Sequence, residues 1–558
     1  MKSNKNKNHS FIVQGSILAI AGILVRVIGL IYRMPLTRIL GDDGNNYYGT
    51  AYDIYNILLL LSSQSMPLAV SKIVSEKMGK QEYVNVKRVF RGALIYALIL
   101  GSIFGGLTFV GADWIATVLY KTPPAGRALK VLAPTITIVC VLGVFRGYFQ
   151  GMGDMIPTAV SQIFEQIVNA VVSVVAAYEL GVYGLSVAKM TKGMNPQSAE
   201  TLKLSWSAAG GTLGTCLGAA TALIVVIVIF MKSRNQMEER VMKDVSGKCD
   251  SYKSINKVII FTITPVLIST TIYNISNQFD NPLYKNICAK ITHVADYGAL
   301  WGMYSQKYRV LTTMPIAIAA ALSTAIVPSL VRSYVAGEKE QVTEKISLAL
   351  KFAMIIAFPC GVGLSVIGGP INGLLFGDYS KRISMMMLFS VFTVVAFSLS
   401  TISNAILQGI DKLNVPIKNS AISLVVHVIL LPILMIVFKL GIMAVVIGDF
   451  LFGFTVCVLN AYSIRKYLGY RQNLTETFLK PLFSSTVMGG VTFAVYRLLM
   501  DFCGIHLIAV IFAMVVAVLT YGFLLIRTKT ITEEELEAMP KGGTLVSLCK
   551  KMKLFPNK

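Results

Sequence analysis

The segment Phe11 to Leu40, FIVQGSILAIAGILVRVIGLIYRMPLTRIL, is long and apolar enough to cross a bilayer as a helix, yet it carries Arg26 and Arg33. A cation near the bilayer centre costs about 2.5–3.5 kcal/mol on insertion scales. Seven residues make almost two helical turns, so the two arginines share one face, which also carries glycines at the same interval. This face predicts a cationic wall of a wet cavity that receives an anion. The alternative, that each arginine snorkels to the nearest interface, stays open.

Apolar composition extends over the whole chain, which has 558 residues, 54% of them hydrophobic and only 14% charged. A helix needs roughly 20 apolar residues to span a bilayer. Runs of this length recur from end to end and predict about 14 membrane helices. The expected fold class is therefore all-α, a polytopic integral membrane protein.

The net charge of +23 is distributed unevenly between alternate loops. With the N-terminus inside, roughly 34 Lys and Arg flank the cytoplasmic ends of the spans and roughly 12 flank the outer ends. This asymmetry predicts a cell-membrane protein with both termini in the cytoplasm. It explains the basic charge without nucleic acid, so the expected partners are membrane lipids and a substrate, and we expect a monomer.

An internal repeat divides the chain into two halves. Gln150-Gly151 before Pro157 is matched by Gln408-Gly409 before Pro416, about 260 residues or six spans later. An even number of spans preserves orientation and predicts two parallel six-helix lobes followed by two extra helices. The predicted divisions are an N-terminal lobe 1–232, a cytoplasmic linker 233–255, a C-terminal lobe 256–466, extra helices 467–527 and a cytoplasmic tail 528–558.

Further charged residues within the apolar runs are candidates for substrate contact. Glu165 lies on a polar stripe of span five, and Asp53 lies in span two. A carboxylate within a span is costly and usually functional, but a structural hydrogen-bond hub is an equally good interpretation of Glu165. Lys307 and Arg309 both precede Pro315 in span eight on different faces, so which of them reaches the cavity is left open.

Signatures of catalysis are missing from the sequence. There is no P-loop, and the four histidines and eight cysteines show no metal-ligand spacing. We therefore expect a transporter and not an enzyme, with no metal and no cofactor. A coupling ion, Na⁺ or H⁺, is left open.

Several stretches together resemble the polysaccharide-transporter branch of the multidrug/oligosaccharidyl-lipid/polysaccharide exporter superfamily, and within it the MurJ-like and stage V sporulation protein B-like lipid II flippases. The resemblance extends over nearly the whole chain. The stretches are Gly22-Ile-Leu-Val-Arg26-Val-Ile-Gly29, Ile39-Leu-Gly41, Pro67-Leu-Ala-Val-Ser71, Phe145-Arg-Gly-Tyr-Phe-Gln-Gly-Met-Gly-Asp154 and Pro157-x-x-x-Ser161-Gln162-x-x-Glu165-Gln166.

The resemblance implies two six-helix lobes around a central cavity and a lipid-facing groove formed by the last two helices. It implies transfer of an undecaprenyl-pyrophosphate-linked sugar, such as the peptidoglycan precursor lipid II, from the inner to the outer leaflet. Arg26 matches one of the family's cavity arginines, and Arg33 and Arg309 each fall within a residue of another. The family's helix-two arginine is absent, since Leu60 stands near its place.

Three alternatives remain at this point. A flippase for another lipid-linked oligosaccharide, such as a capsule unit, would use the same cationic cavity. A drug/cation antiporter of the same superfamily would have a cavity dominated by acidic residues, which Glu165 and Asp53 would fit. A membrane scaffold without transport activity would need no charged cavity.

Overall fold

The computed structural model describes residues 2–63, 66–242, 244, 249–261 and 278–533, and every regular element in these ranges is helical. Eleven helical stretches among the described residues are long and apolar enough to cross a membrane. The all-α, multi-pass membrane fold is therefore confirmed. The count of 14 is not confirmed: Leu24–Gly79 is one stretch where the hydropathy pattern predicts two spans, and most of a further span that it predicts at 256–279 lies outside the described residues.

The helices are numbered here in chain order. Their bounds are α1 Lys2–Ser62, α2 Met66–Gly79, α3 Tyr83–Trp114, α4 Ala125–Gly151, α5 Ile156–Met190, α6 Pro196–Met242, α7 Asp280–Ile287, α8 Tyr297–Met303, α9 Arg309–Val335, α10 Lys339–Phe376, α11 Lys381–Leu388, α12 Ser390–Gly409, α13 Asn414–Ile436, α14 Met443–Leu468, α15 Lys480–Cys503 and α16 His506–Arg527. Single π-helical turns extend several of them, at Ile115–Leu119, Cys288–Thr292, Tyr304–Tyr308 and Thr475–Leu479. An unnumbered helix covers 252–261.

Helix α1 is two helices joined at Gly41. This residue has φ 61° and ψ −173°, a conformation that is essentially restricted to glycine, and the helical ladder bends there. The second arm reaches Ser62, and the chain resumes as α2 at Met66. The hydropathy pattern predicts a second span that begins near residue 50, whereas in the structure the second helical arm starts directly after Gly41.

Two expected loops are largely helical. The hydropathy pattern predicts a polar loop at 181–204, but the structure has only the few residues between the end of α5 at Met190 and the start of α6 at Pro196. Helix α6 also continues to Met242, well into the predicted linker 233–255. Polar residues on a helix that extends beyond the hydrocarbon do not break it, so hydropathy marks the membrane limits and misses the helix ends.

The described chain forms two compact units, 1–306 and 307–558. The sequence places the division in the linker, whereas α7 and α8, which follow that linker, pack within the first unit. The division into lobes stays a prediction of the repeat. The turns that carry the repeat do occupy equivalent places, since α4 ends at Gly151 before α5 and α12 ends at Gly409 before α13.

In the first unit, α5 and α6 form the most extensive helix pair. Their contact follows glycines four residues apart on α6, namely Gly210, Gly214 and Gly218. A Cβ added at Gly218 would lie 2.7 Å from the carbonyl oxygen of Glu165 on α5. Small residues at this spacing let membrane helices approach closely, and here they bring α6 against the polar stripe of α5.

In the second unit, α10 packs against α9, α12 and α15, while α14 packs against α12 and α13. Buried side-chain amides connect α12, α13 and α14. Asn460 of α14 donates to Asn404 Oδ1 of α12 at 2.7 Å, and Asn419 of α13 donates to Asn460 Oδ1 at 2.8 Å. Helices α15 and α16 occupy the predicted extra-helix region and pack on each other.

Candidate functional site

The arginine-bearing face of α1 is accessible. Arg26 is exposed and Arg33 is half-buried, on a stretch of helix with no break between them. Arg33 lies within electrostatic range of the phenols of Tyr32, Tyr48 and Tyr52. A phenol accepts a hydrogen bond from a guanidinium without neutralising it, so the positive charge of Arg33 persists.

The polar stripe of α5 begins with an ion pair. Arg146 of α4 donates through Nη2 to Glu165 Oε2 at 2.7 Å and through Nε to Ser161 Oγ at 3.0 Å. Both side chains retain some exposure, 14% for Arg146 and 30% for Glu165. The Glu165 carboxylate is therefore charge-neutralised by a neighbouring helix, while one edge stays accessible.

Deeper along the same stripe, the polar groups join helices. Asn169 Nδ2 donates to Tyr32 Oη of α1 at 3.4 Å, and Ser173 Oγ donates to the carbonyl of Gly211 on α6 at 2.8 Å. Both residues are buried. This part of the stripe is a set of interhelical hydrogen bonds, and of the predicted stripe only the Glu165 end remains a candidate for substrate contact.

Asp53 lies in a buried cluster of polar side chains. Its carboxylate accepts a hydrogen bond from Asn281 Nδ2 of α7 at 2.7 Å. Lys285 of α7 is fully buried close by, and its Nζ donates to Thr50 Oγ1 at 2.6 Å and to Thr122 Oγ1 at 2.9 Å. The structure thus places Asp53 in the packing of α7 against α1 and the 120–124 turn.

The two cationic candidates of the second unit differ in environment. Lys307 is buried and donates to Asp378 Oδ2 at 2.7 Å, whereas Arg309 is half-buried at the start of α9. Asp378 lies in the turn after α10. Burial alone would raise the pKa of Asp378, but the Lys307 ammonium and the Ser380 N–H outweigh it, so that the net pKa lies below the ordinary aspartate value.

A long apolar groove runs through the second unit between α10, α12, α14 and α15, with a volume of about 920 Å³. We name it the tail groove. Its walls are almost entirely hydrocarbon and include Phe358, Val395, Phe454, Leu482 and Phe493. A cavity of this size and composition accommodates a long hydrocarbon chain better than a polar ligand.

Three residues of these sites were not singled out by sequence reasoning. Arg146 stands in a quoted motif, and its partner on the next helix follows from the tight turn between α4 and α5. Lys285 lies just beyond a predicted span, where hydropathy cannot show that it is buried. Arg38 is a third arginine of α1. It is exposed, and the face predicted from the sequence includes only Arg26 and Arg33.

Comparison with known proteins places the chain in a family. A family model described as polysaccharide biosynthesis protein matches residues 12–334. The chain is 22% identical over 493 residues to the lipid II flippase MurJ of Bacillus subtilis (strain 168), covering 85% of this chain and 86% of the relative.

Solved structures share the fold. An inward closed structure of lipid II flippase MurJ has a TM-score of 0.64 at 14% identity, covering 91% of this chain and 97% of that one. An inward-facing multidrug resistance transporter of the MATE family has the same TM-score at 16% identity, covering 82% and 98%. The predicted superfamily resemblance is confirmed, and the shared fold alone does not separate a flippase from a drug exporter.

Proposed function

The chain belongs to the polysaccharide biosynthesis protein family, and on that premise we propose that it is a flippase for a lipid-linked sugar. The substrate class is an undecaprenyl-pyrophosphate-linked sugar such as lipid II, moved from the inner to the outer leaflet by alternating access. One observation carries the proposal: an exposed arginine, Arg26, and a half-buried one, Arg33, lie on the same face of a membrane helix.

Pyrophosphate explains why arginines stand there. A charged headgroup with sugars cannot cross about 30 Å of hydrocarbon unaided. A guanidinium binds phosphate oxygens through two parallel hydrogen bonds and keeps its charge at all physiological pH values. The prenyl chain would lie in the tail groove, which is apolar enough to receive it. Arg309 is the third candidate for the phosphate, favoured over Lys307 because Lys307 is already paired with Asp378.

The drug/cation antiporter alternative is less well supported by the same contacts. Such a transporter would use acidic residues, but Glu165 is paired with Arg146 and Asp53 accepts from Asn281 beside buried Lys285. It also leaves the arginines of α1 unexplained. A flippase for a capsule-type unit shares the pyrophosphate and the groove, so it differs only in the sugar. In all these cases the activity is transport, and the membrane potential or a cation gradient supplies the free energy.

The test is growth of a bacterium depleted of its lipid II flippase and supplied with this protein. Arg26→Ala and Arg33→Ala should each lower flipping about tenfold to a hundredfold, because a hydrogen bond to a charged group contributes about 1.5–3 kcal/mol. Arg→Lys at either site keeps the charge without the planar fork and should rescue in part. In the same assay, Glu165→Gln should reach normal abundance but flip poorly.

The matched control is Arg234→Ala, which removes an exposed arginine paired with Glu238 near the end of α6. Protein abundance is measured by immunoblot in every strain. Normal growth with Arg26→Ala and with Arg33→Ala at normal abundance would contradict the phosphate-binding role and support snorkelling. Failure of the wild type to complement, together with transport of another prenyl-linked sugar, would change the substrate and keep the mechanism.

A further inference from the structure

Beside the tail groove lies a second cavity of about 480 Å³, whose lining includes two arginines. We name this cavity the basic mouth and define it by Arg465, Tyr470, Arg471 and Gln472. The two cavities adjoin, since Gln472 and Leu474 line both. The end of α14 and the 469–474 turn before α15 contribute these four residues. The loop charges assign this end of α14 to the cytoplasmic side of the membrane.

In the basic mouth, side-chain hydrogen-bond donors outnumber the acceptors available to them. Arg465 and Arg471 are exposed, and within the described ranges neither guanidinium has an ion-pair partner. Gln472 Nε2 is buried and has no acceptor among the described residues. No Asp or Glu lines the cavity. A buried donor without an acceptor costs about 1–3 kcal/mol, so this set favours an anionic ligand that would accept from all of them.

Nearby charges reinforce the same preference. Lys412 and Lys466 both lie over the ring of Tyr467, with Nζ at 5.3 and 5.8 Å from its centroid, at the same end of α14. The one carboxylate that follows in sequence, Glu476, is paired with Lys480. Positive charge therefore predominates among the lining arginines and these two lysines, and an anion at the membrane surface would be drawn to it.

The groove indicates what kind of apolar group the ligand carries. Phe478, in the π-helical turn before α15, and Phe493 of α15 both line it, and by helical rise they lie roughly 22 Å apart. The lining is almost entirely hydrocarbon, so the groove suits a prenyl chain. A pyrophosphate also offers more acceptor oxygens to two guanidiniums than a phosphodiester does.

From these features we infer that the basic mouth and the tail groove form a docking site for a prenyl pyrophosphate at the cytoplasmic leaflet. The pyrophosphate lies between Arg465 and Arg471, and the chain lies in the groove. This inference rests on the proposed function but assigns a site distinct from the arginines of α1. The substrate is held there by its phosphate before its headgroup is taken up by Arg26 and Arg33.

Binding to the full-length purified protein tests the inference, with native mass spectrometry reading the bound lipid. The probes are undecaprenyl pyrophosphate, uncharged undecaprenol and phosphatidylglycerol. In an Arg26→Ala/Arg33→Ala background, undecaprenyl pyrophosphate should still bind, and adding Arg465→Gln/Arg471→Gln should weaken it at least tenfold. Undecaprenol binding should not change. Lys412→Gln/Lys466→Gln removes the same charge from the same end without altering the lining, and should have a much smaller effect.

A second variant addresses the groove. Gly490 lines the groove and a Cβ there meets nothing within 4 Å, so Gly490→Phe should place a ring in the groove and weaken both prenyl probes. Unchanged pyrophosphate binding in Arg465→Gln/Arg471→Gln would overturn the docking site. If Arg26→Ala/Arg33→Ala alone abolished binding, the docking site would fail and the proposed function would stand. Equal, arginine-dependent binding of phosphatidylglycerol would reassign the site to bulk anionic lipid, and no binding of any prenyl pyrophosphate to wild type would reject the proposed function as well.

Discussion

At the residue scale, charges inside this protein are balanced by groups from other segments of the chain. Glu165 pairs with Arg146, and Lys307 pairs with Asp378. Removing one partner of a buried pair leaves a charge without compensation and costs about 3–5 kcal/mol, while removing both together costs far less. The buried Lys307–Asp378 pair is therefore structural, whereas Glu165 is 30% exposed, so solvent screens its pair with Arg146 and the cost of breaking that pair is much smaller.

We predict that Asp378→Asn lowers the free energy of unfolding by about 3 kcal/mol, because Lys307 stays charged and buried. The two side chains are only 6% and 11% exposed, so solvent screens the pair weakly. Lys307→Met/Asp378→Asn should regain most of the loss. The measurement is thermal unfolding in detergent, with Asp501→Asn as the control, since Asp501 is exposed on α15. A double variant as unstable as Asp378→Asn would contradict the pairing energy.

The same pair predicts a pH dependence. The folded pKa of Asp378 lies below its ordinary value, which is about 3.9, because Lys307 and Ser380 outweigh the cost of burial. The stabilisation is thus fully present above that ordinary value and is lost as the pH falls through the folded pKa. The stability advantage of wild type over Asp378→Asn should shrink on acidification below pH 4, because a protonated Asp378 no longer compensates Lys307.

At the scale of elements, α1 depends on its bend at Gly41. The sequence quotes this glycine in a motif, but only the backbone shows that it has a φ of 61° with open space around its Cα. The bend lets one continuous chain segment form two membrane helices with a minimal turn, and it aligns the arm that carries Asp53 with α7.

We predict that Gly41→Ala destabilises the protein by about 1–3 kcal/mol through backbone strain alone, since a Cβ there meets nothing within 4 Å. Gly106→Ala in α3 is the matched control, because its Cβ also meets nothing and its backbone is helical. Alanine should leave that position unchanged or more stable. Equal melting temperatures for both variants would show that the bend is not held by glycine.

At the scale of the whole molecule, the orientation in the membrane rests on the loop charges. We predict both termini in the cytoplasm, because basic residues concentrate on alternate loops. Reporter fusions after Lys77, Lys248 and Lys558 should report inside. Fusions after Lys121 and Lys192 should report outside and serve as the opposite control. An external C-terminus would remove the even-span topology and the cytoplasmic placement of the basic mouth.

The sequence by itself determined the fold class, the membrane location and the arginine-bearing helix. Hydropathy and helical periodicity are local properties, so Phe11 to Leu40 could be identified as a span with two arginines on one face. The Gln-Gly turns at 150 and 408 could be aligned for the same reason. Hydropathy could not fix the exact number of spans, because helices such as α5 and α6 extend past the hydrocarbon and α1 bends at a single glycine.

The tertiary structure alone decided which charges have partners. Whether Glu165 meets Arg146, Lys307 meets Asp378 or Asp53 lies beside Lys285 depends on contacts between residues distant in sequence, and a charge looks the same in the sequence whether paired or not. The tail groove and the basic mouth likewise exist only where α10, α12, α14 and α15 come together. Local sequence predicts where a charge can lie, but the free energy of burying it depends on the partner that folding supplies.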